Sequence, residues 1–291
     1  MQDFVNAIND WVWSPALIYL CLLVGLYFSI RGRFLQVRHF GRMIRLLMDG
    51  KSSDQGVSSF QALAMSLAGR VGTGNIAGVA TAITFGGPGA LFWMWMVAFL
   101  GASTAFVEST IAQIYKDRDD KGFFIGGPAY YFEKALGQKW YAVLFAISAI
   151  AACGLLLPGV QANSIAEAMN NSLGIAPSIS AAVIAALLGF IIFGGVKRIA
   201  SSAELIVPFM ALAYIIVAIV IIIMHIGQLP EVLSLIFRSA FGMDSTFGAV
   251  LGLAIQWGVK RGVYSNEAGQ GTGPHPSAAA EVSHPAKQGL V

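Results

Sequence analysis

The ten residues GRVGTGNIAG, at positions 69–78, gather the groups in this chain best suited to binding chemistry. Thr73 and Asn75 bring a hydroxyl and a carboxamide oxygen, hard donors of the kind Na+ takes up. Gly69, Gly72, Gly74 and Gly78 are poor helix formers, each costing about 1 kcal/mol relative to alanine inside a helix. Yet they sit in an otherwise apolar run from Phe60 to about Phe85. In lipid, a backbone N–H or C=O without a partner costs several kcal/mol. Close helix packing accounts for Gly74 and Gly78, a small-xxx-small pair. It does not account for Gly69, Arg70, Gly72, Thr73 and Asn75 together. The pattern instead predicts a helix interrupted from about Gly69 to Gly74, with the unwound chain lining a cavity. A half-helix starting near Asn75 would present free N–H groups and about half a positive charge, which suits a carboxylate. A half-helix ending near Gly69 would present free carbonyls, which suit a cation. Thr73, Gly74 and Asn75 are therefore candidate substrate contacts, and Gly69, Gly72, Thr73 and Asn75 candidate ion contacts.

A second stretch, FGAVLGLAIQWGVKRGVYSNEAGQGTGP at 247–274, opens with Gly248 and Gly252 and continues to Gln256 and Trp257. An interruption near Gly252 to Ala254 would place Gly252, Leu253 and Trp257 at the substrate and Ala254 at the ion. An ordinary glycine-bearing span fits those residues equally well. Ser265, Asn266 and Glu267 would cap or gate its cytoplasmic end. Gln161 follows LLLPGV, where Pro158 and Gly159 loosen the helix. It could donate to a substrate carboxylate or link two helices. Glu108, in FVEST, is an intramembrane acid, and such groups are expensive and usually paired or functional. Arg70 is a candidate partner, and a structural ion pair and a coupling role both stay open. Glu167 and Glu204, near segment ends, read as structural, and Trp93 and Trp95 as packing or interfacial residues. His275 and His284 lack metal-ligand spacing, no Lys-Ser/Thr follows the glycines to make a phosphate loop, and no nucleophile–base set suggests an enzyme.

These groups must be held by membrane-crossing helices. The chain has 291 residues, 56% hydrophobic and only 11% charged, where a soluble domain carries about 25% charged residues. Its mean hydropathy is +0.70. Seven apolar segments are legible, near 14–30, 58–84, 88–115, 140–169, 179–196, 203–226 and 246–264, and an eighth would begin near Pro285. Sixteen of the eighteen lysines and arginines fall at the end of odd-numbered segments or after them, Lys260 and Arg261 within the end of the seventh. By the positive-inside rule those loops are cytoplasmic and the N-terminus is outside. Arg31 to Lys51 is then a basic anchor. Met1 to Asp10 holds two aspartates and no basic residue, the reverse of a signal peptide. Cys21 and Cys153 lie in apolar runs and read as reduced packing residues. Segments two and seven run in opposite senses, as an inverted-repeat transporter requires.

FQALAMSLAGRVGTGNIAGVATAITFGGPGALFWMWMVAFLGASTAFVEST (60–110), WGVKRGVYSNEAGQGTGPHPSAAAEVSHPAKQGLV (257–291) and FIGGPAYYFEKALG (124–137) resemble the alanine or glycine:cation symporters of prokaryotes. Gly273 and Pro276 look untypical of that pattern. The resemblance covers nearly the whole chain and implies an all-α multi-pass inner-membrane protein. Its fold would be two inverted five-helix repeats after one extra N-terminal helix. Residues 1–57 would hold the extra helix and the basic loop, 58–227 the first repeat, and 228–291 the start of a truncated second repeat. Because family members are longer, these 291 residues are not expected to transport alone. The implied activity is Na+-coupled import of alanine or glycine, with Na+ as coupling ion and no other cofactor. A proton-coupled carrier and a non-transporting binder or channel are the alternatives. The implied partners are the amino acid, Na+ and the bilayer, with no nucleic acid. The resemblance also favours a pocket role for Gln161.

Overall fold

The computed structural model describes residues 2–47, 56–243 and 248–291. It is almost entirely helical, as the composition predicts. Its helices are α1 Gln2–Val12, α2 Pro15–Arg31, α3 Leu35–Arg38, α4 Phe40–Leu47, α5 Ser59–Arg70, α6 Thr73–Gly86, α7 Gly89–Ile114 and α8 Pro128–Leu136. They continue with α9 Lys139–Ala149, α10 Leu157–Leu173, α11 Pro177–Ile192, α12 Gly195–Met224, α13 Leu229–Ala240, α14 Gly248–Asn266, α15 Pro274–Ala279 and α16 Pro285–Leu290. A two-residue hairpin pairs Asp117–Arg118 with Phe124–Ile125. Among the described residues, four stretches are long and apolar enough to cross a membrane: Asp3–Arg31, Gly89–Ile114, Lys139–Leu173 and Gly195–Met224. The predicted Lys51 and residues 246–247 of the seventh segment lie outside the described residues.

The second segment is interrupted, as its glycines predict. A capping box starts α5: Gln61 N–H donates to Ser58 Oγ at 3.1 Å, and Ser58 N–H to Gln61 Oε1 at 3.0 Å. The helix stops after Arg70, where Val71 takes φ −106° and ψ 93°. Only Val71 and Gly72 are non-helical before Thr73 opens α6. The break is thus narrower than the predicted Gly69–Gly74.

The predicted interruption at Gly252–Ala254 is absent, because α14 runs unbroken from Gly248 to Asn266. Two of its glycines, Gly258 and Gly262, serve packing. A Cβ on Gly262 would stand 3.2 Å from Met94 Cα, and one on Gly258 would meet the Ala90 carbonyl oxygen of α7 at 2.6 Å, with Trp93 Cβ as close. The chain breaks later instead, between Asn266 and Pro274. There Glu267, Gly269 and Gly271 adopt φ of 55°, 81° and 84°. Left-handed backbone cannot continue a helix and suits glycine best.

The segment Lys139–Leu173 holds a π-helical turn at Ile150–Leu156, immediately before Pro158. The proline has no N–H and its ring crowds the carbonyl four residues back. Widening the preceding turn relieves that conflict. Helix α12 starts several residues earlier than the sixth segment and carries Pro208 in its interior. Its apolar side chains are mostly exposed, among them Leu205, Phe209 and Ile223, as suits a helix facing lipid.

The chain forms two compact units. One comprises Met1–Arg42, Gly74–Val107 and Leu212–Gln270; the other comprises Met43–Thr73, Glu108–Ala211 and Gly271–Val291. In the first unit, Ile18, Val97, Val259 and Val263 form a buried cluster. Phe92 packs near Phe237 and Phe241, with ring centroids 5.6 and 5.0 Å apart. Trp93 Nε1 donates to Ala240 O at 3.1 Å, which confirms Trp93 as a packing residue. In the second unit, α15 packs beside α5 around buried Val57, Ala62, Ala200, Ala279 and Ala280.

Candidate functional site

In the first unit, α6 lies antiparallel against α14, and two glycines allow the approach. A Cβ on Gly74 would meet Ser265 Cα at 3.2 Å and the Tyr264 ring at 3.3 Å. One on Gly86, at the other end of α6, would meet Trp257 Cβ at 2.8 Å and the Leu253 carbonyl at 3.1 Å. Asn75 Nδ2 donates to Ser265 Oγ at 2.8 Å. Asn75 thus has an anchored carboxamide in the first turn of the half-helix that follows the break.

This pairing corrects the expected grouping. At 1.5 Å per helical residue, Gly86 lies about 18 Å along α6 from Gly74. Trp257 and Leu253 pack at that far end, and the Trp257 ring stacks on Phe85 at 4.8 Å. Gly252 is exposed with open space around its Cα, and Ala254 is fully buried. In an unbroken helix their carbonyls accept from residues four further on. The antiparallel contact instead brings Tyr264 and Ser265 to the start of α6.

In the second unit, the end of α5 meets α10. Thr73 N–H donates to Gln161 Oε1 at 3.3 Å. A Cβ on Gly72 would stand 3.2 Å from both terminal atoms of that side chain. Gln161 therefore serves the break directly, by accepting from one of the N–H groups that α6 leaves free at its start. The Thr73 hydroxyl is enclosed and has no hydrogen-bond partner. Gly69 lies exposed in the last turn of α5. A Cβ on Gly273 would come within 2.6 Å of Arg70 Nη2, so a larger residue there would require that guanidinium to shift.

The half-helix α15 is firmly seated. Gln113 Nε2 donates to the carbonyls of Ser277 and Ala280, and Lys116 Nζ reaches Ala280 O at 2.8 Å. Ser277 Oγ lies 3.0 Å from Ser109 Oγ. Burial pulls the Lys116 pKa down to about 8. His275 Nδ1 faces the Gly126 carbonyl at 3.0 Å, and burial holds its pKa below the ordinary value of 6.5. Burial also raises the Tyr131 pKa, and the charge of Glu108 pushes it in the same direction. Gln61 Nε2 donates to Glu204 at 2.9 Å, which gives Glu204 its structural role.

Sequence reasoning missed Tyr264 as a neighbour of the first break and read Ser265 only as a cap or gate. It also missed 267–273 as an interruption, although Gly269, Gly271, Gly273 and Pro274 stand there in close succession.

The whole chain, residues 1–291, matches the model of the sodium:alanine symporter family. It is 64% identical, over its full length, to the putative sodium/proton-dependent alanine carrier protein YrbD of Bacillus subtilis (strain 168), of which it covers 60%. It is 48% identical to the probable sodium/glutamine symporter GlnT of the same organism, again over its full length and covering 61% of that protein. The sodium/alanine symporter AgcS of Methanococcus maripaludis is 43% identical over 99% of this chain, which covers 65% of AgcS. The chain thus spans 60 to 65% of the length of these relatives.

Proposed function

Because the chain belongs to the sodium:alanine symporter family, we propose that it supplies the binding helices of a secondary active symporter importing alanine or glycine with Na+. That family comprises transporters and not enzymes. The observation that carries the reading is the interruption at Val71–Gly72, followed by Thr73 with its enclosed, unpartnered hydroxyl. A membrane helix opened there frees backbone groups that lipid cannot satisfy, and a polar cargo with its ion can. In this reading Gly72, Thr73, Gly74, Asn75 and Gln161 contact the amino acid or Na+, and the carbonyls at the end of α5, including that of Gly69, favour the ion.

The two-break pattern also supports inverted repeats. The pair α5–α6 would open the first five-helix repeat, over 58–227, and α14–α15 the second, from 228 onward. Residues 1–57 would be the extra helix and basic loop, with the N-terminus outside the cell membrane. Coupling is energetically sufficient. One Na+ moving down about 150 mV releases roughly 3.5 kcal/mol. A tenfold gradient adds about 1.4 kcal/mol. Together they sustain a concentration ratio on the order of a few thousand.

The name of YrbD, a putative sodium/proton-dependent alanine carrier, favours one second reading, in which a proton is the coupling ion. Glu108 would be its carrier. The experiment is uptake of labelled alanine by the full-length protein containing this chain, with Na+ or proton gradients imposed separately. Asn75→Ala should abolish Na+-driven uptake while the protein stays in the membrane, and wild-type uptake by this variant would refute the site. Loss of proton-driven uptake in Glu108→Gln would favour the proton reading, and intact Na+-driven uptake in that variant would count against Glu108 as the coupling group. Countertransport of labelled alanine separates a carrier from a binder that does not move its ligand.

A further inference from the structure

The last residue of α14 carries an unused donor. Asn266 Oδ1 accepts from Ala268 N–H at 2.9 Å, closing a turn where the helix ends. Its other terminal atom, Nδ2, is buried without a hydrogen-bond partner. The turn is held tightly, since a Cβ on Gly101 of α7 would meet Ala268 Cβ at 2.8 Å. The next residue, Glu267, is in left-handed backbone at φ 55°. Directly before Asn266, Ser265 holds the Asn75 carboxamide at 2.8 Å. The carboxamide oxygen of Asn266 is thus committed to shaping the chain while its buried nitrogen is left without an acceptor, next to a residue that holds Asn75 of α6.

A buried donor without an acceptor is costly, and native proteins rarely leave one without a reason. The chemistry of the cargo says what can fill it. Na+ takes oxygen donors of electron pairs and cannot accept a hydrogen bond. The ammonium of an amino acid only donates, and the side chain of alanine or glycine has no polar atom. Only the carboxylate accepts. We infer that Asn266 Nδ2 donates to the carboxylate of the transported amino acid, making Asn266 a substrate contact and not solely a cap or gate. This rests on the symport reading above and assigns one bond within it. Bonds to a charged acceptor are among the stronger ones.

The oxygen and nitrogen of Asn266 have separate tasks, so they separate experimentally. Asn266→Asp keeps the acceptor for Ala268 N–H and removes the donor. Asn266→Ser keeps a weaker acceptor, adds no charge and also lacks the amide. Both are made in the full-length protein and assayed in proteoliposomes with labelled alanine under an imposed Na+ gradient. The KM for alanine should rise roughly tenfold to a hundredfold in both, as loss of a charge-assisted bond implies. The concentration of Na+ giving half-maximal rate should stay unchanged at saturating alanine. Wild type should discriminate alanine from alaninamide, which lacks the carboxylate, and Asn266→Ser should lose much of that discrimination. A wild-type KM in Asn266→Ser, with discrimination intact, overturns the assignment. So does collapse of the fold in both variants, because both keep the acceptor and the amide would then have a structural partner. Absence of alanine or glycine uptake by wild type would instead remove the parent reading, a result distinct from either.

Discussion

Replacing Gly72 with alanine strikes the first break where it has least room. The added methyl carbon would sit 3.2 Å from both Nε2 and Oε1 of Gln161, closer than ordinary van der Waals contact. Gln161 must give way, and its oxygen is the acceptor for Thr73 N–H at 3.3 Å. Leaving that N–H without a partner costs about 1–3 kcal/mol, and the long bond argues for the lower end. The loss is partly offset, because alanine removes about 0.4–1 kcal/mol of unfolded-chain freedom at a position whose backbone it tolerates. In a Gln161→Ala background there is no side chain to displace, so only the favourable part remains. A double-mutant cycle on Gly72→Ala and Gln161→Ala should therefore show a coupling of about 1–2 kcal/mol. The assay is unfolding of the full-length protein in detergent, followed by tryptophan fluorescence. Additivity within about 0.5 kcal/mol would mean that Gln161 does not brace the break.

Gly252→Ala should be silent in transport and stabilise α14 by up to about 1 kcal/mol, since nothing stands within 4 Å of the added methyl; abolished uptake in vesicles would restore an interruption there. Gln113→Ala removes the donor to two carbonyls at the end of α15. Hydrogen exchange at 274–280 should rise about fivefold or more, from a loss of at least about 1 kcal/mol. His275 makes its contribution above pH 6.5 and loses it as pH falls through 6.5 toward its lower folded-state pKa, because the unfolded chain then binds more protons. The difference in melting temperature between wild type and His275→Gln should consequently change on acidification from about pH 7.5 to about pH 5, and a constant difference would show the ring to be inert.

Much of this was legible because lipid makes local sequence decisive. The apolar runs had to be helices, and the density of glycine around Thr73 had to break one, since an unsatisfied main chain in hydrocarbon costs too much. The same logic misplaced the second break. Gly252 looks like a breaker, yet α14 runs through it, and a glycine in a membrane helix also permits close contact, as Gly258 and Gly262 do. Only the partners on α7, Trp93 and Met94, decide between the two roles. Residues 267–274 carried the stronger signal, three glycines and a proline, but they followed charged residues and read as a cytoplasmic loop. That Ser265 and not Trp257 stands by Gly74 depends on the antiparallel register of α6 and α14, which no single segment encodes.

The central claim is that backbone opened in the second span holds the cargo. Hydrogen exchange of the full-length protein in nanodiscs, resolved at residues 70–75, tests it most directly. Alanine added with Na+ should slow exchange of these amides well beyond the effect of Na+ alone. Identical exchange with and without alanine, under conditions where the protein transports it, would contradict the account.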